Sequence, residues 1–187
     1  MKRKSIERKL QINSQSKKKN YFLLFTFYFL LFTFAAFGQD DPPKDVAPYP
    51  EKVFSDDEKK ALNDETGIKT RTDLSLRFMD TRLSNALFLA QKPNFKEALS
   101  HLGTYQLLLE DALKFLKSND TEKDKVQNTL KKFEITLRKH TTRLEIIRRE
   151  MPYKYGWHVE RIMKLLDDAR DSALDPLFSD SVVKTNQ

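Results

Sequence analysis

VQNTLKKFEITLRKHTTRLEIIRREM, residues 126–151, decides the fold. Val126, Leu130, Phe133, Leu137, His140, Leu144, Ile147 and Met151 recur at alternating steps of four and three. That spacing holds one stripe on one side of an α-helix along its whole length, whereas a half-buried strand needs alternation at every second residue. One polar ring, His140, stands inside an otherwise apolar stripe, and most positions between carry charge or amide groups.

The same rule extends outward. Thr70–Gln91 places Leu76, Met79, Leu83, Ala86 and Ala90 on one face, and Phe95–Lys117 places Phe95, Ala98, Leu102, Tyr105, Leu109, Ala112 and Leu116. Trp157–Asp175 does so with Val159, Ile162, Leu166, Ala169 and Ala173. The fold expected is all-α: an up-down bundle of about four amphipathic helices over residues 68–176, after an N-terminal signal or anchor segment. A short helix and loop at 55–67 precede the bundle and a tail at 177–187 follows it. The helix from Thr121 to Met151 is expected to be the longest, about 45 Å at 1.5 Å per residue. Loops of about three to six residues make successive helices antiparallel neighbours. Heptad-like stripes do not reveal whose helix they meet, so a monomer and a homodimer both remain open. No 34-residue period recurs, which excludes a tetratricopeptide array.

End signals agree with these bounds. Ser55 with Glu58, and Asn94 with Glu97, have capping-box spacing. Asn119 or Asp120 is positioned to cap the long helix, Gly156 to break the chain before the last one, and Pro93, Pro152 and Pro176 to separate segments. Acid-before-base pairs four apart (Asp73–Arg77, Glu134–Arg138, Glu145–Arg149, Glu160–Lys164) suit solvated helix faces. Gly103, inside a helix, points to a close approach by a neighbouring helix or ring.

The N-terminus is of another kind. Eight Lys/Arg and one acid precede YFLLFTFYFLLFTFAAF, residues 21–37, an uncharged run of 17. A basic head, an apolar run and small residues form the layout of a secretory signal, with Ala36 and Gly38 at −3 and −1 for cleavage before Gln39. Seventeen lies between a signal core and a spanning helix, so residues 1–38 read as a signal peptide or an uncleaved anchor. Both put the rest outside the cytoplasmic membrane, periplasmic or secreted in one case and anchored through 21–38 in the other. Residues 39–54, with Pro42, Pro43, Pro48 and Pro50, read as an extended proline-rich linker.

Losing residues 1–38 takes the totals of 34 basic and 27 acidic residues to 26 and 26. The basicity belongs to the leader, so no nucleic-acid partner is expected. With no cysteine there is no disulfide framework and no thiolate metal site.

Chemistry-bearing residues are few. His140 sits at a core position and is read as an imidazole satisfied by a neighbouring helix. Glu97 and His101 share a helix face, but neither Glu-x-x-His nor His-Glu-x-x-His occurs, so no metal and no cofactor is expected. There is no Gly-x-Ser-x-Gly and no glycine cluster to cradle phosphate, so no catalytic residue is assigned and a non-enzyme is expected. The densest unusual stretch is RREMPYKYGWHVER, residues 148–161, read as a loop. Arg149, Tyr153, Tyr155, Trp157 and His158 there suit either a plug of rings at the bundle end or a binding surface for a sugar, an anionic group or a protein.

LSLRFMDTRLSNALFLAQ and NFKEALSHLGTYQLLLEDALKFL resemble the paired helices of exported bacterial helical-bundle proteins of unknown function. The resemblance spans about residues 70–117, implies a bacterial envelope protein and carries over no functional residue. The expected function is an exported helical bundle acting through protein–protein contacts or as an envelope structural component, its partner an unidentified envelope protein. The alternative is a periplasmic ligand-binding or sensor module using residues 148–161.

Overall fold

The computed structural model describes residues 43–119 and 124–183, with side chains to Phe178. The leader, the Gly38–Gln39 pair, the apolar run 21–38 and Asp120 lie outside the described residues. Five helices and no strand occur among the described residues: α1 (Asp56–Asp64), α2 (Ile68–Ala90), α3 (Phe95–Lys117), α4 (Asp124–Glu150) and α5 (Tyr153–Val183). None of them is long and apolar enough to cross a membrane.

The stripes read from sequence are the core. All eight stripe positions of residues 126–151 are buried, His140 included, as are those of α2 and α5. The α3 set is buried except Phe95, which is partly covered. Each helix therefore hides the face that water rejects, at about 25 cal/mol per Å² of apolar surface removed from solvent.

Polar contacts at successive levels record which helices meet and in which direction. Arg71 reaches Asp111 while Arg82 reaches His101, so α2 and α3 run antiparallel. Arg148–Glu160 and Arg170–Glu134 set α4 and α5 antiparallel in the same way. Lys132–Asp73 and Arg143–Asp80 show α2 and α4 side by side and parallel. α3 lies beside α5. Among the four long helices, successive ones are thus neighbours only within the hairpins α2–α3 and α4–α5. The step from α3 to α4 crosses the diagonal, which loop length alone does not reveal.

Several local readings change. Met151 and Pro152 alone separate α4 from α5, so residues 148–161 form a tight corner and two helix ends rather than a loop. Gly156 lies inside α5, its N–H donating to Pro152 O at 2.9 Å. Pro176 also lies within α5, where it removes one donor without ending the helix, and the stretch expected as a tail continues it to Val183. Among the described residues α5 spans 31 and α4 spans 27, and the expected start of α4 at Thr121 lies outside them. The Ser55–Glu58 capping box is present in both arms, the Glu58 N–H donating to Ser55 Oγ and the Ser55 N–H to Glu58 Oε2. Asn94 makes no side-chain cap; its Nδ2 donates to Glu97 instead. Asn119 Nδ2 donates to Phe115 O at 2.7 Å, at the end of α3. Asp73 and Glu160, expected to bond four residues onward, reach Lys132 and Arg148 on another helix.

Residues 44–54, within the stretch read as a linker, form no helix but lie as a strap against α3 and α5. The Ala47 N–H donates to Lys154 O at 2.9 Å, and Thr104 Oγ1 donates to Val53 O at 2.9 Å. Lys52 pairs with Glu110. A Cβ on Gly103 would collide with the Glu51 carbonyl oxygen and stand 2.9 Å from Pro50 Cβ. The close approach that Gly103 permits is therefore by strap backbone, not by a helix or ring.

The two helical glycines predict opposite outcomes in urea unfolding. Gly156→Ala meets nothing closer than 3.6 Å and should stabilise by about 0.5–1 kcal/mol through helix propensity. Gly103→Ala should destabilise by about 1–3 kcal/mol through overpacking against the strap.

Candidate functional site

A polar line runs through the middle of the bundle. Tyr105 on α3 is fully buried, and its hydroxyl lies 3.2 Å from His140 Nδ1 on α4, across the diagonal. His140 Nε2 lies 3.2 Å from Asp80 Oδ1 on α2. Arg143 Nη1 donates to the same Asp80 oxygen at 2.7 Å and its Nη2 to Ser84 Oγ at 2.7 Å. An ionised carboxylate only accepts, so Nε2 carries the proton, Nδ1 is the acceptor and the Tyr105 hydroxyl donates. Every group on the line has a partner of the right kind when His140 is neutral.

Burial holds the His140 pKa below its ordinary value and Arg143 adds to this, while Asp80 opposes it. Burial likewise holds the Tyr105 hydroxyl well above the ordinary phenol range. Protonating His140 would turn Nδ1 into a donor facing the Tyr105 hydroxyl, whose own proton would lose its acceptor in the core. Asp80, with a side chain 54% exposed, is where the line meets water. The line thus ties α2, α3 and α4 together, with its solvated end a carboxylate.

A second polar cluster fastens α1. Glu58 is buried and accepts two bonds from Arg82, from Nε at 2.9 Å and Nη2 at 2.6 Å. Arg82 Nη1 faces His101 Nδ1 at 3.2 Å. Glu97 bonds Asn94, so the Glu97–His101 pair weighed from sequence is divided between two partners. Burial and then Arg82 depress the His101 pKa. A third cluster places buried Glu134 between Arg138 and Arg170, joining α4 to α5. The sequence assigned Glu134 to a solvated face. For both carboxylates burial pushes the pKa up; hydrogen bonds and charge from the arginines, joined at Glu58 by the hydrogen bonds of Ser55, together more than offset it and leave a net lowering.

The sequence-selected residues 149–158 separate into three groups. Arg149 and Tyr153 face solvent, Arg149 beside Glu145. Tyr155 packs on Phe95 at the start of α3, with Lys154 over its ring. Trp157 and His158 turn to the strap: both lie edge-on to the Tyr49 ring, and buried His158 donates from Nε2 to Ala47 O at 2.6 Å. Arg161 stacks over Trp157. Two clefts flank the strap, one of about 360 Å³ near Gln106 and Arg161 and one of about 810 Å³ near Asn94, Lys96 and Ser100. Sequence reasoning missed Asp80, Tyr105 as a hydrogen-bond donor, and Thr104. The one available signal was a histidine in a stripe that otherwise holds only apolar residues. Among the described residues no cluster of His, Asp and Glu is arranged to hold a metal ion.

The lowered histidines set a pH response. Below the ordinary histidine pKa of about 6.5 the unfolded chain binds protons that the folded chain refuses. Stability is therefore full above that pH and falls as pH drops toward the folded values. Urea midpoints at pH 7.5 and 5.5 should show this loss, and His140→Gln should shrink the difference to the share left by His101. A further loss is expected below about pH 4.5, as Glu58 and Glu134 protonate. At pH 7.5 Tyr105→Phe should cost about 1–3 kcal/mol by leaving Nδ1 buried without a donor.

No protein-family model matches the chain, and no curated protein and no solved structure was found similar to it.

Proposed function

We propose that the chain is an exported, non-enzymatic helical protein whose four long helices form an up-down bundle behind an N-terminal signal or anchor, and which acts through protein–protein contacts in the cell envelope. The observation that carries this reading is how the polar groups are used. Tyr105, His140, Glu58, Arg82, Glu134 and His158 are engaged with one another or with main chain, as internal fastenings. What faces outward instead includes large apolar side chains: Phe88, Ile135, Ile146, Tyr153 and Phe178. Ile135 and Ile146 stand three turns apart on one face of α4, a spacing that suits a partner helix or a second copy. The alternative reading, a ligand-binding or sensor module, draws on Arg149 and Tyr153, the two selected residues that reach solvent.

Two measurements test it. The intact mass and N-terminus of protein from fractionated cells should show a chain beginning at Gln39 in the soluble envelope fraction, or one retaining residues 21–38 in the membrane fraction. A full-length chain recovered from cytosol overturns the exported reading. The absence of native cysteine makes single-cysteine variants clean, so a photo-crosslinker on Ile135→Cys or Ile146→Cys should give one discrete adduct in cells. The same reagent on Lys60→Cys, on exposed α1, should give none; equal labelling at all three sites would remove the contact surface.

A further inference from the structure

The strap is held in an unusual way. Of residues 44–54 only Ala47 is buried, while Tyr49 and Val53 remain more than half exposed. Phe54, at its end, packs partly buried against the core, and over the rest the attachment is chiefly through main chain. Buried His158 donates to the Ala47 carbonyl, buried Thr104 to the Val53 carbonyl, and the Lys154 carbonyl accepts the Ala47 N–H. Gly103 has no side chain, and the space so left admits the Glu51 carbonyl. Pro48 and Pro50 carry no N–H, so that stretch brings fewer backbone donors needing a partner into the groove. Trp157 meets the ring of Tyr49. The groove thus reads a peptide as a pattern of small residue, proline, aromatic and proline, with its hydrogen bonds directed at main chain.

From this geometry we infer that the groove between α3 and α5 is a binding site for an extended, proline-bearing segment of a partner protein, and that residues 44–54 occupy it in cis. This names the kind of contact made under the protein–protein reading above, on which it rests. Contacts to main chain tolerate varied side chains at the exposed positions around that pattern, and extended proline-containing peptides lose little entropy on docking. The strap joins the helices only through Ser55, so it can leave without unwinding a helix. An empty groove is disfavoured because His158 would lose its bond to Ala47 O, and Thr104 its shorter bond to Val53 O, keeping only the 3.4 Å one to Ser100 O. Release by exchange for another peptide restores them. The cis strap is therefore a built-in competitor, and a partner segment must outbid an effective concentration of about millimolar.

The test uses the full-length chain and a fluorescein-labelled peptide, KDVAPYPEKVF, the sequence of residues 44–54. Ala47→Glu places a charge at the one buried strap position and should undock the strap with the helices intact by circular dichroism. Anisotropy should then show saturable peptide binding at least tenfold tighter than to the wild type. Adding Gly103→Leu should abolish it, and a scrambled peptide should not bind. Absence of binding to a folded Ala47→Glu chain overturns the inference, as does equal binding to wild type or indifference to Gly103→Leu. Should Ala47→Glu fail to fold, hydrogen exchange of the wild type decides. An Ala47 amide exchanging much faster than amides of α3 supports a displaceable strap, and equal protection overturns it. The crosslinking at Ile135 and Ile146 reads a different surface, so its outcome stands whichever way the peptide experiment falls.

Discussion

One buried imidazole constrains the whole bundle. His140 lies where an apolar side chain would simply pack, and its two nitrogens must each find a partner in a region without water. Nδ1 finds Tyr105 across the diagonal and Nε2 finds Asp80 on the adjacent helix. Apolar contacts are non-directional and tolerate a helix sliding by part of a turn. A hydrogen-bonded line through α3, α4 and α2 does not, because a shift leaves a buried donor or acceptor unpaired at about 1–3 kcal/mol. The diagonal placement of α3 and α4 is the arrangement that lets this line close.

The remaining fastenings repeat the device at the edges of the core. Arg82 grips Glu58 with two nitrogens and sets α1 against α2, while Arg170 crosses to Glu134 and sets α5 against α4. Breaking such a pair costs more than its net contribution, since the partner is left charged and buried. All three clusters involve His or a carboxylate with a depressed pKa, so acid weakens them in turn: the histidines first, the glutamates later. The strap is held by hydrogen bonds to its own main chain together with one exposed ion pair, Lys52–Glu110.

Much of the fold was legible before any coordinate. Every position of the stripe from Val126 to Met151 is buried, as is every position of the α2 and α5 stripes, while buried Thr129, Glu134, Thr72, Ser75 and His158 lie outside them. The Ser55–Glu58 box was legible because both arms lie within one turn. Asn94–Glu97 has equal spacing and makes a side-chain contact instead, since spacing does not say which atom the side chain will choose. Gly156 and Pro176 read as breaks because each is unfavourable in a helix taken alone. In the folded chain the buried face of α5 outweighs that penalty of about 1–3 kcal/mol.

What the sequence determined by itself was whatever depends on residues a few positions apart: helix, amphipathic face, one local cap and the polar intrusion at His140. The periodicity that writes these rules into the chain is that of a single helix. Which carboxylate answers His140, why Glu134 is inside, and where Gly103 makes room depend on pairs far apart in the chain. Asp80 is 60 residues from His140, and Ala47 is 111 from His158. Only tertiary packing brings such pairs together, because the choice of neighbour across a bundle is made by closing all the faces at once.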